Sequence, residues 1–327
     1  MPIEAGLHRL LPNHRHIIEY MGFHLNKRLR MVRLYTAFAQ LGDLLDLIDT
    51  HKELESLQDE HERSLEAKSP VPNLAVLYIF EAMAASVCLM AHGVLPAPDI
   101  KGNWPDNDGP VSWDHNIIHR DIKANNFFLS ASSSNQVWPG LPVAALGDFG
   151  NAIDAADPVY AWRPSWARDA GTPGYMAPEQ VEQPIEGAYE HSITSATNVY
   201  QIGVSMLHLM IRSRPRFQPE FGKSEAGFFK RNPDDCYDAE MAKLAWDCAE
   251  MDPTDRPSAR DLYIRLRTLA RAYPNADGDH SVPYRKLNPR NLFGIDHADM
   301  SDSLEFMQLK PTEMVRTAPD KYAHLLA

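Results

Sequence analysis

Cysteine is scarce in this chain of 327 residues, with only Cys88, Cys236 and Cys248. Their odd number, wide spacing and lack of any CxxC pair argue against a disulfide framework or a zinc site. Positive charge is also short. Lys and Arg total 32 against 44 Asp and Glu, a formal charge of −12, which is the wrong sign for a protein whose main partner is nucleic acid. No stretch of about 20 apolar residues runs without polar interruption. The closest approach, residues 74 to 91, carries Glu81 and sets Val76, Ile79, Phe80, Met83, Val87 and Met90 at helical spacing. That pattern predicts a buried helix rather than a membrane span. The opening Met1-Pro2-Ile3-Glu4 has no basic region feeding an apolar run, so no export signal is expected. Together with the cysteine usage this predicts an intracellular setting, cytoplasmic or nuclear. No internal repeat is present.

Hydrophobic residues make up 44% and charged residues 23%, the composition of a chain that folds. Ile3, Leu7, Leu10 and Leu11 mark one face of a helix that Pro12-Asn13 stops. Residues 17–21 and 30–36 have strand-like content, with a Lys/Arg-rich turn between them, and residues 37–45 form an extended link running into a helix. Residues 51–69 are densely charged and read as a solvated helix or insertion; residues 94–115 and 130–142 read as loops. A short strand at 143–146 is followed by helical patterns at 195–212, 238–250 and 257–270. From Tyr273 onward Pro, Asp and Asn become frequent, as in an extended tail.

The chemistry is carried by His119-Arg120-Asp121-Ile122-Lys123-Ala124-Asn125-Asn126, with Asp148-Phe149-Gly150 about twenty residues further on. A hydroxyl attacking a terminal phosphate needs a carboxylate near its proton, counter-charge on the phosphoryl oxygens, and a divalent metal across the phosphates. These blocks supply a residue for each. A third block, Gly171-Thr172-Pro173-Gly174-Tyr175-Met176-Ala177-Pro178-Glu179, follows in order. With all three blocks the chain resembles the eukaryotic Ser/Thr protein kinases.

That resemblance implies an α+β, protein-kinase-like bilobal fold with a truncated small N-lobe and a mainly helical C-lobe. It divides the chain into a remnant N-lobe (1–36), a hinge (37–41), a C-lobe (42–271, with insertions near 51–73 and 94–115) and a tail (272–327). It implies Asp121 as catalytic base, Lys123 as the phosphate-facing cation, and Asn126 and Asp148 as ligands of Mg²⁺, with ATP as phosphoryl donor and a protein hydroxyl as acceptor. Lys123 with Gly171 and Thr172 matches the pattern for Ser/Thr over Tyr. Thr36 corresponds to the gatekeeper, the backbone of Ala37 and Ala39 to the adenine contacts, Asp43 to the ribose contact, and Phe128 joins the cofactor-binding set. His119, Phe149 and Gly150 complete their motifs. Glu179 is expected to pair with Arg256 of Asp252-Pro253-Thr254-Asp255-Arg256-Pro257 as a buried scaffold pair.

Several of these positions have a plainer reading beside the functional one. Asp43 is equally a helix-start residue, Glu4 a first-turn helix glutamate rather than the partner of a lysine, and Thr172 alone a turn hydroxyl. Asn198 stands where most kinases have an aspartate that anchors the catalytic loop, and an amide replaces part of that role. His8 falls on an apolar position of the family and reads as a core histidine. Arg120 implies control by activation-loop phosphorylation. The usual acceptor position is Arg168, leaving Ser165 and Tyr160 as candidates and Asp169 as a fixed negative charge. The resemblance runs over residues 3 to 271. No GxGxxG occurs anywhere, and no strand-borne lysine stands upstream to partner Glu4. The expected activity is therefore Ser/Thr protein phosphorylation, with a catalytically impaired kinase fold or fragment acting as a binding protein as the alternative. Neither nucleic acid nor membrane is expected as a partner.

Overall fold

Helix α3, Asn73–His92, is apolar on every side and forms the axis around which the rest packs. The computed structural model describes residues 2–57, 71, 73–99, 101–105, 113–130, 141–157, 170–181, 192–212 and 237–272. Among these, α3 is the one helix long and apolar enough to cross a membrane, yet 94% of its most apolar stretch is buried inside the fold. The single acidic residue in it, Glu81, accepts from Arg267 across to a C-terminal helix at 2.9 Å. A helix with no polar stripe needs cover all round, and the C-terminal helices and the β4–β5 strand pair supply it.

In chain order the elements begin with α1 (Ile3–Leu10), an antiparallel hairpin β1 (Tyr20–Asn26) and β2 (Met31–Thr36), α2 (Leu44–Leu57) and then α3. There follow β3 (Ile117–Ile118), a 3₁₀ turn at Ala124–Asn126, β4 (Phe127–Ser130), β5 (Val143–Leu146), a 3₁₀ turn at Phe149–Asn151 and β6 (Ile153–Asp154). A further 3₁₀ turn at Pro178–Gln180 precedes α4 (Ser195–Ile211), α5 (Ala239–Cys248) and α6 (Ala259–Ala272). The strands pair antiparallel as β1–β2, β3–β6 and β4–β5. Helix α3 lies against α6, α4 and β5, and α4 against α5. The fold is α+β, as expected.

Two details correct the sequence reading and two refine it. The buried face of α1 is Ala5, Leu7 and His8, while Ile3 and Leu10 are exposed, because the helix packs its His8 side on the turn after β5. Residues 17 and 18 do not belong to the hairpin. Ile17 bridges in parallel to Leu146 and Ile18 N–H donates to the Leu146 carbonyl at 2.8 Å, so β1 begins at Tyr20. The charged segment from His51 begins as helix, one of its two readings: α2 continues to Leu57, with His51 buried rather than solvated. The loop at 101–105 is tied down: Trp104 Nε1–H donates to Thr268 at 3.2 Å, Arg271 stacks on its ring at 5.3 Å, and Arg260 donates to the Pro105 carbonyl.

Helix ends are set locally. Asp238 caps α5 by accepting from Glu240 and Met241 N–H, and Thr194 caps α4 by accepting from Ala196 N–H. At the α4–α5 crossing Gly203 is required, because a Cβ there would lie 2.7 Å from that of Cys248 and 2.8 Å from the Ala245 carbonyl. The chain from His14 to Ile18 is fastened to the core by His16, whose Nδ1–H donates to the Ala144 carbonyl at 2.9 Å and whose own carbonyl accepts from Ser86 at 2.7 Å.

Candidate active site

The loop between β3 and β4 carries Asp121 in a buried position, 6% exposed. Its Oδ1 accepts from the Thr172 hydroxyl at 2.7 Å, and its Oδ2 from Lys123 Nζ at 3.0 Å and Asn151 Nδ2 at 3.4 Å. Lys123 Nζ also donates to Thr172 Oγ1 at 2.7 Å, closing a ring of base, cation and hydroxyl. The sequence places Thr172 fifty-one residues from Asp121, and the fold brings them into contact. Arg120, just before the base, adopts a left-handed backbone with φ 67°, a strained choice for a non-glycine residue that surrounding bonds must hold. Its side chain donates through Nε to the Asn151 carbonyl at 2.6 Å. Gly171 has φ 130°, and a Cβ there would come 2.5 Å from the Arg120 carbonyl, so glycine is required where the Thr172 segment crosses the base loop.

Asp148 follows the end of β5 and is likewise left-handed, φ 60°, at the start of the Phe149–Asn151 turn. Gly147 N–H donates to the Asn126 backbone carbonyl at 2.9 Å, which brings the Asn126 and Asp148 loops side by side. Asn126 donates its Nδ2–H to the Asp121 carbonyl at 2.8 Å, leaving Oδ1 as its acceptor face. One carboxylate plus one amide oxygen is the hard-oxygen donor set that suits Mg²⁺ shared with phosphate oxygens.

Behind Asp148 four rings form a continuous stack. His119 lies 5.0 Å from Phe149, Phe149 lies 4.7 Å from His8, and His8 lies 5.4 Å from Tyr20. His8 is therefore the core histidine of its plainer reading: Nε2–H donates to the Ile18 carbonyl at 2.7 Å. Burial pushes the pKa of His8 down, opposed by that carbonyl, and burial likewise pushes His119 down, opposed by its bond to the Gly147 carbonyl. Both rings are held neutral. Glu4, one turn before His8, converges with Asp148 over Gly150: a Cβ at Gly150 would lie 3.3 Å from Asp148 Oδ1 and 3.8 Å from Glu4 Oε2. Burial, and then the Asp148 charge, raise the Glu4 pKa. Among the described residues Glu4 makes no ion pair.

On the side expected to take the nucleotide, residues 37–43 run beside β4. Ala37 N–H donates to the Glu19 carbonyl at 2.9 Å, Leu41 N–H to Leu129 at 3.0 Å, and Leu129 N–H to Gly42 at 2.8 Å. Asp43 bridges Phe128, and the Phe128 ring closes on Gly147, next to Asp148. Asp43, Phe128 and Asp148 are thus gathered on one wall. Thr36 ends β2 opposite Tyr20 and is exposed, with Ala39 half-buried beyond it. Asp43 itself caps α2. Its Oδ1 accepts from Leu45 N–H at 2.8 Å and Asp46 N–H at 3.1 Å, while Asp46 returns a bond to Asp43 N–H at 3.0 Å. Burial raises the Asp43 pKa.

The support beneath the site is buried and polar. Glu179 and Arg256 form a two-pronged pair at 2.8 and 3.0 Å with both side chains fully buried. Asn198 answers the missing aspartate with both ends of its amide: Oδ1 accepts from His119 N–H at 2.9 Å and Nδ2 donates to the Ile117 carbonyl at 3.0 Å. An aspartate could not make the second bond. Three contributors escaped sequence reading. Asn151, Gln180 and Gln201 are neutral amides that nothing in the sequence marks, and their bonds appear only in the fold. Ser165, Tyr160, Arg168 and Asp169 lie outside the described residues.

A buried aspartate bridged to a lysine, beside a carboxylate and an amide on an adjoining turn, is the set of groups expected of a phosphoryl-transfer site. Comparison with known proteins agrees. The family model described as Protein kinase domain matches residues 112–265. Over 197 residues the chain is 30% identical to "Serine/threonine-protein kinase TAO2" of Xenopus laevis, covering 58% of this chain and 17% of that protein. Over 252 residues it is 24% identical to "G2-specific protein kinase fin1" of Schizosaccharomyces pombe, covering 76% of this chain and 30% of the relative. It is also 37% identical over 109 residues to "Receptor protein-tyrosine kinase CEPR2" of Arabidopsis thaliana, covering 33% and 9%. The matches span less than a third of each of these relatives. The likeness to the protein kinases is thus carried by residues 112–265.

Proposed function

We propose that this chain transfers the terminal phosphoryl group of ATP to a serine or threonine hydroxyl of a protein. The observation that carries the proposal is the Asp121 carboxylate held at once by Lys123 and by the Thr172 hydroxyl. Asp121 accepts the proton of the incoming hydroxyl as its oxygen bonds to phosphorus and the bond to the ADP oxygen breaks; the proton then passes to water. Lys123 balances charge on the phosphoryl oxygens, at the cost of no reorganisation because its ammonium is already anchored. Asn126 and Asp148 would hold Mg²⁺, which when bound neutralises charge across the phosphates. The Ser/Thr preference draws on Lys123 and Thr172 and on one of the named relatives, TAO2; another is named as a tyrosine kinase, so acceptor choice is part of the test.

A second reading, a kinase-fold binding protein without transfer, is favoured by one observation: the Glu4 and Asp148 carboxyl groups converge over Gly150. Two carboxylates at that position oppose the charge of ATP. Mg-ATP-dependent ³²P transfer to mixed Ser/Thr and Tyr substrates, with Asp148→Asn as blank, separates the readings. Transfer above the blank, confined to Ser/Thr, is expected. Signal equal to the blank from folded protein refutes the enzyme.

A further inference from the structure

Gln201 of α4 reaches the base loop from below and pairs with both peptides that flank Asp121. Its Nε2–H donates to the Arg120 carbonyl at 2.7 Å, and its Oε1 accepts from Ile122 N–H at 3.0 Å. One side-chain amide therefore fixes the peptide entering Asp121 and the peptide leaving it. Gln180 donates to the same Arg120 carbonyl at 2.9 Å and to the Ala170 carbonyl at 2.8 Å. Its Oε1 accepts from Ala177 N–H at 2.9 Å and from Gln201 Nε2 at 3.0 Å. Both side chains are completely buried, and every amide hydrogen of the two is used. Ala170 and Ala177 bracket Thr172, whose hydroxyl bonds Asp121.

We propose that Gln201 and Gln180 are positioning residues for the base: Gln201 clamps Asp121 from both sides, and Gln180 locks that clamp to the segment carrying Thr172. Seating of residues 170–177 and placement of Asp121 are then one event. The left-handed Arg120 is the joint that makes this matter. Its backbone is strained, and two donors on its carbonyl oppose relaxation to an ordinary conformation that would swing Asp121 away from Lys123. The neutral amides do this without adding charge beside the base, as an acidic or basic side chain there would.

Amide hydrogen exchange resolved by NMR on the whole chain tests the clamp independently of catalysis. Gln201→Met is expected to speed exchange of the Ile122 amide by about tenfold or more, with α3 amides unchanged. The decisive variant is Gln180→Met. It removes no bond to Ile122, yet the lock predicts that Ile122 exchange rises along with that of Ala177. A rise at Ala177 alone overturns the coupling, and an unchanged Ile122 amide in Gln201→Met overturns the clamp. If Gln201→Met fails to fold, Gln201→Glu replaces it: it keeps the acceptor for Ile122 N–H and loses the donor to Arg120 until its carboxyl is protonated.

The catalytic consequence rests on the kinase reading. Gln201→Met and Gln180→Met are expected to lower kcat by roughly 10- to 100-fold with KM for ATP changed less than about twofold. Gln201→Glu should regain activity relative to the parent as pH falls. Unchanged kcat in both methionine variants overturns the positioning role. A parent protein without Asp148-dependent transfer refutes the kinase reading instead, and the exchange result still decides the lock.

Discussion

Replacing Arg256 by methionine removes the positive half of a fully buried pair while keeping most of its volume. The guanidinium donates to both Glu179 oxygens, to the carbonyls of Ala196 at 3.0 Å, Glu250 at 2.7 Å and Met251 at 3.0 Å, and lies 4.8 Å over the Tyr200 ring. Glu179 would keep the Thr197 hydroxyl, at 2.8 Å, as a donor, too little for a carboxylate out of water. Stranding one member of such a pair costs about 3–5 kcal/mol. At about 2–4 °C per kcal/mol for a domain of this size, that is a drop in Tm of roughly 6–20 °C. Urea titration followed by far-ultraviolet circular dichroism reads the loss directly, provided the slope stays constant. The double variant Glu179→Met, Arg256→Met removes both charges and should recover more than half the loss, because the penalty is desolvation of an orphaned ion rather than a missing attraction. A single-variant loss under about 1 kcal/mol, or a double variant as unstable as the two singles combined, would refute this account.

His16 predicts a pH dependence of stability. Burial lowers its pKa from the ordinary 6.5 to about 3. Below pH 6.5 the unfolded chain therefore binds a proton that the folded chain refuses, so stability is complete above 6.5 and declines as pH falls. The decline is about 2 kcal/mol by pH 5, and His16→Asn should remove that slope; parallel curves for the two proteins would contradict it. Gly171→Ala puts a methyl group against the Arg120 carbonyl in a backbone region closed to alanine. It should cut phosphoryl transfer at least about tenfold while lowering stability by only about 1–3 kcal/mol, checked by pairing the ³²P assay with urea melts.

The candidate site residues that the fold brings together were legible because each belongs to a short contiguous block whose spacing is set by one turn. Asp121, Lys123 and Asn126 share a single loop and its 3₁₀ turn, and Asp148 opens the next. The apolar run of α3 and the three C-terminal helices were legible for a related reason, as burial writes itself into long patterns. What failed was short or two-sided. In α1 the apolar residues that looked like the core face are split by packing against the turn after β5, and the helix buries His8 while exposing Ile3. Residues 17 and 18 read as strand and do pair, but with β5 across the fold rather than with their neighbours. Gln180 and Gln201 were invisible because neutral amides have no period and no charge to mark them. Their role exists only where Arg120 turns left-handed, a backbone state that its residue type does not announce.

The pairing of Glu81 with Arg267 also has a temporal side. The two residues are 186 positions apart, and the helix that Glu81 belongs to is apolar on all faces. During synthesis α3 leaves the ribosome long before α6 exists to cover it or Arg267 to neutralise its one carboxylate. At about 5–20 residues per second that gap lasts roughly 10–40 s, with a membrane-length apolar helix waiting for its α6 cover and for Arg267. The sequence thus places its most hydrophobic element well ahead of α6, one part of its cover, so α3 stays incompletely covered through that interval.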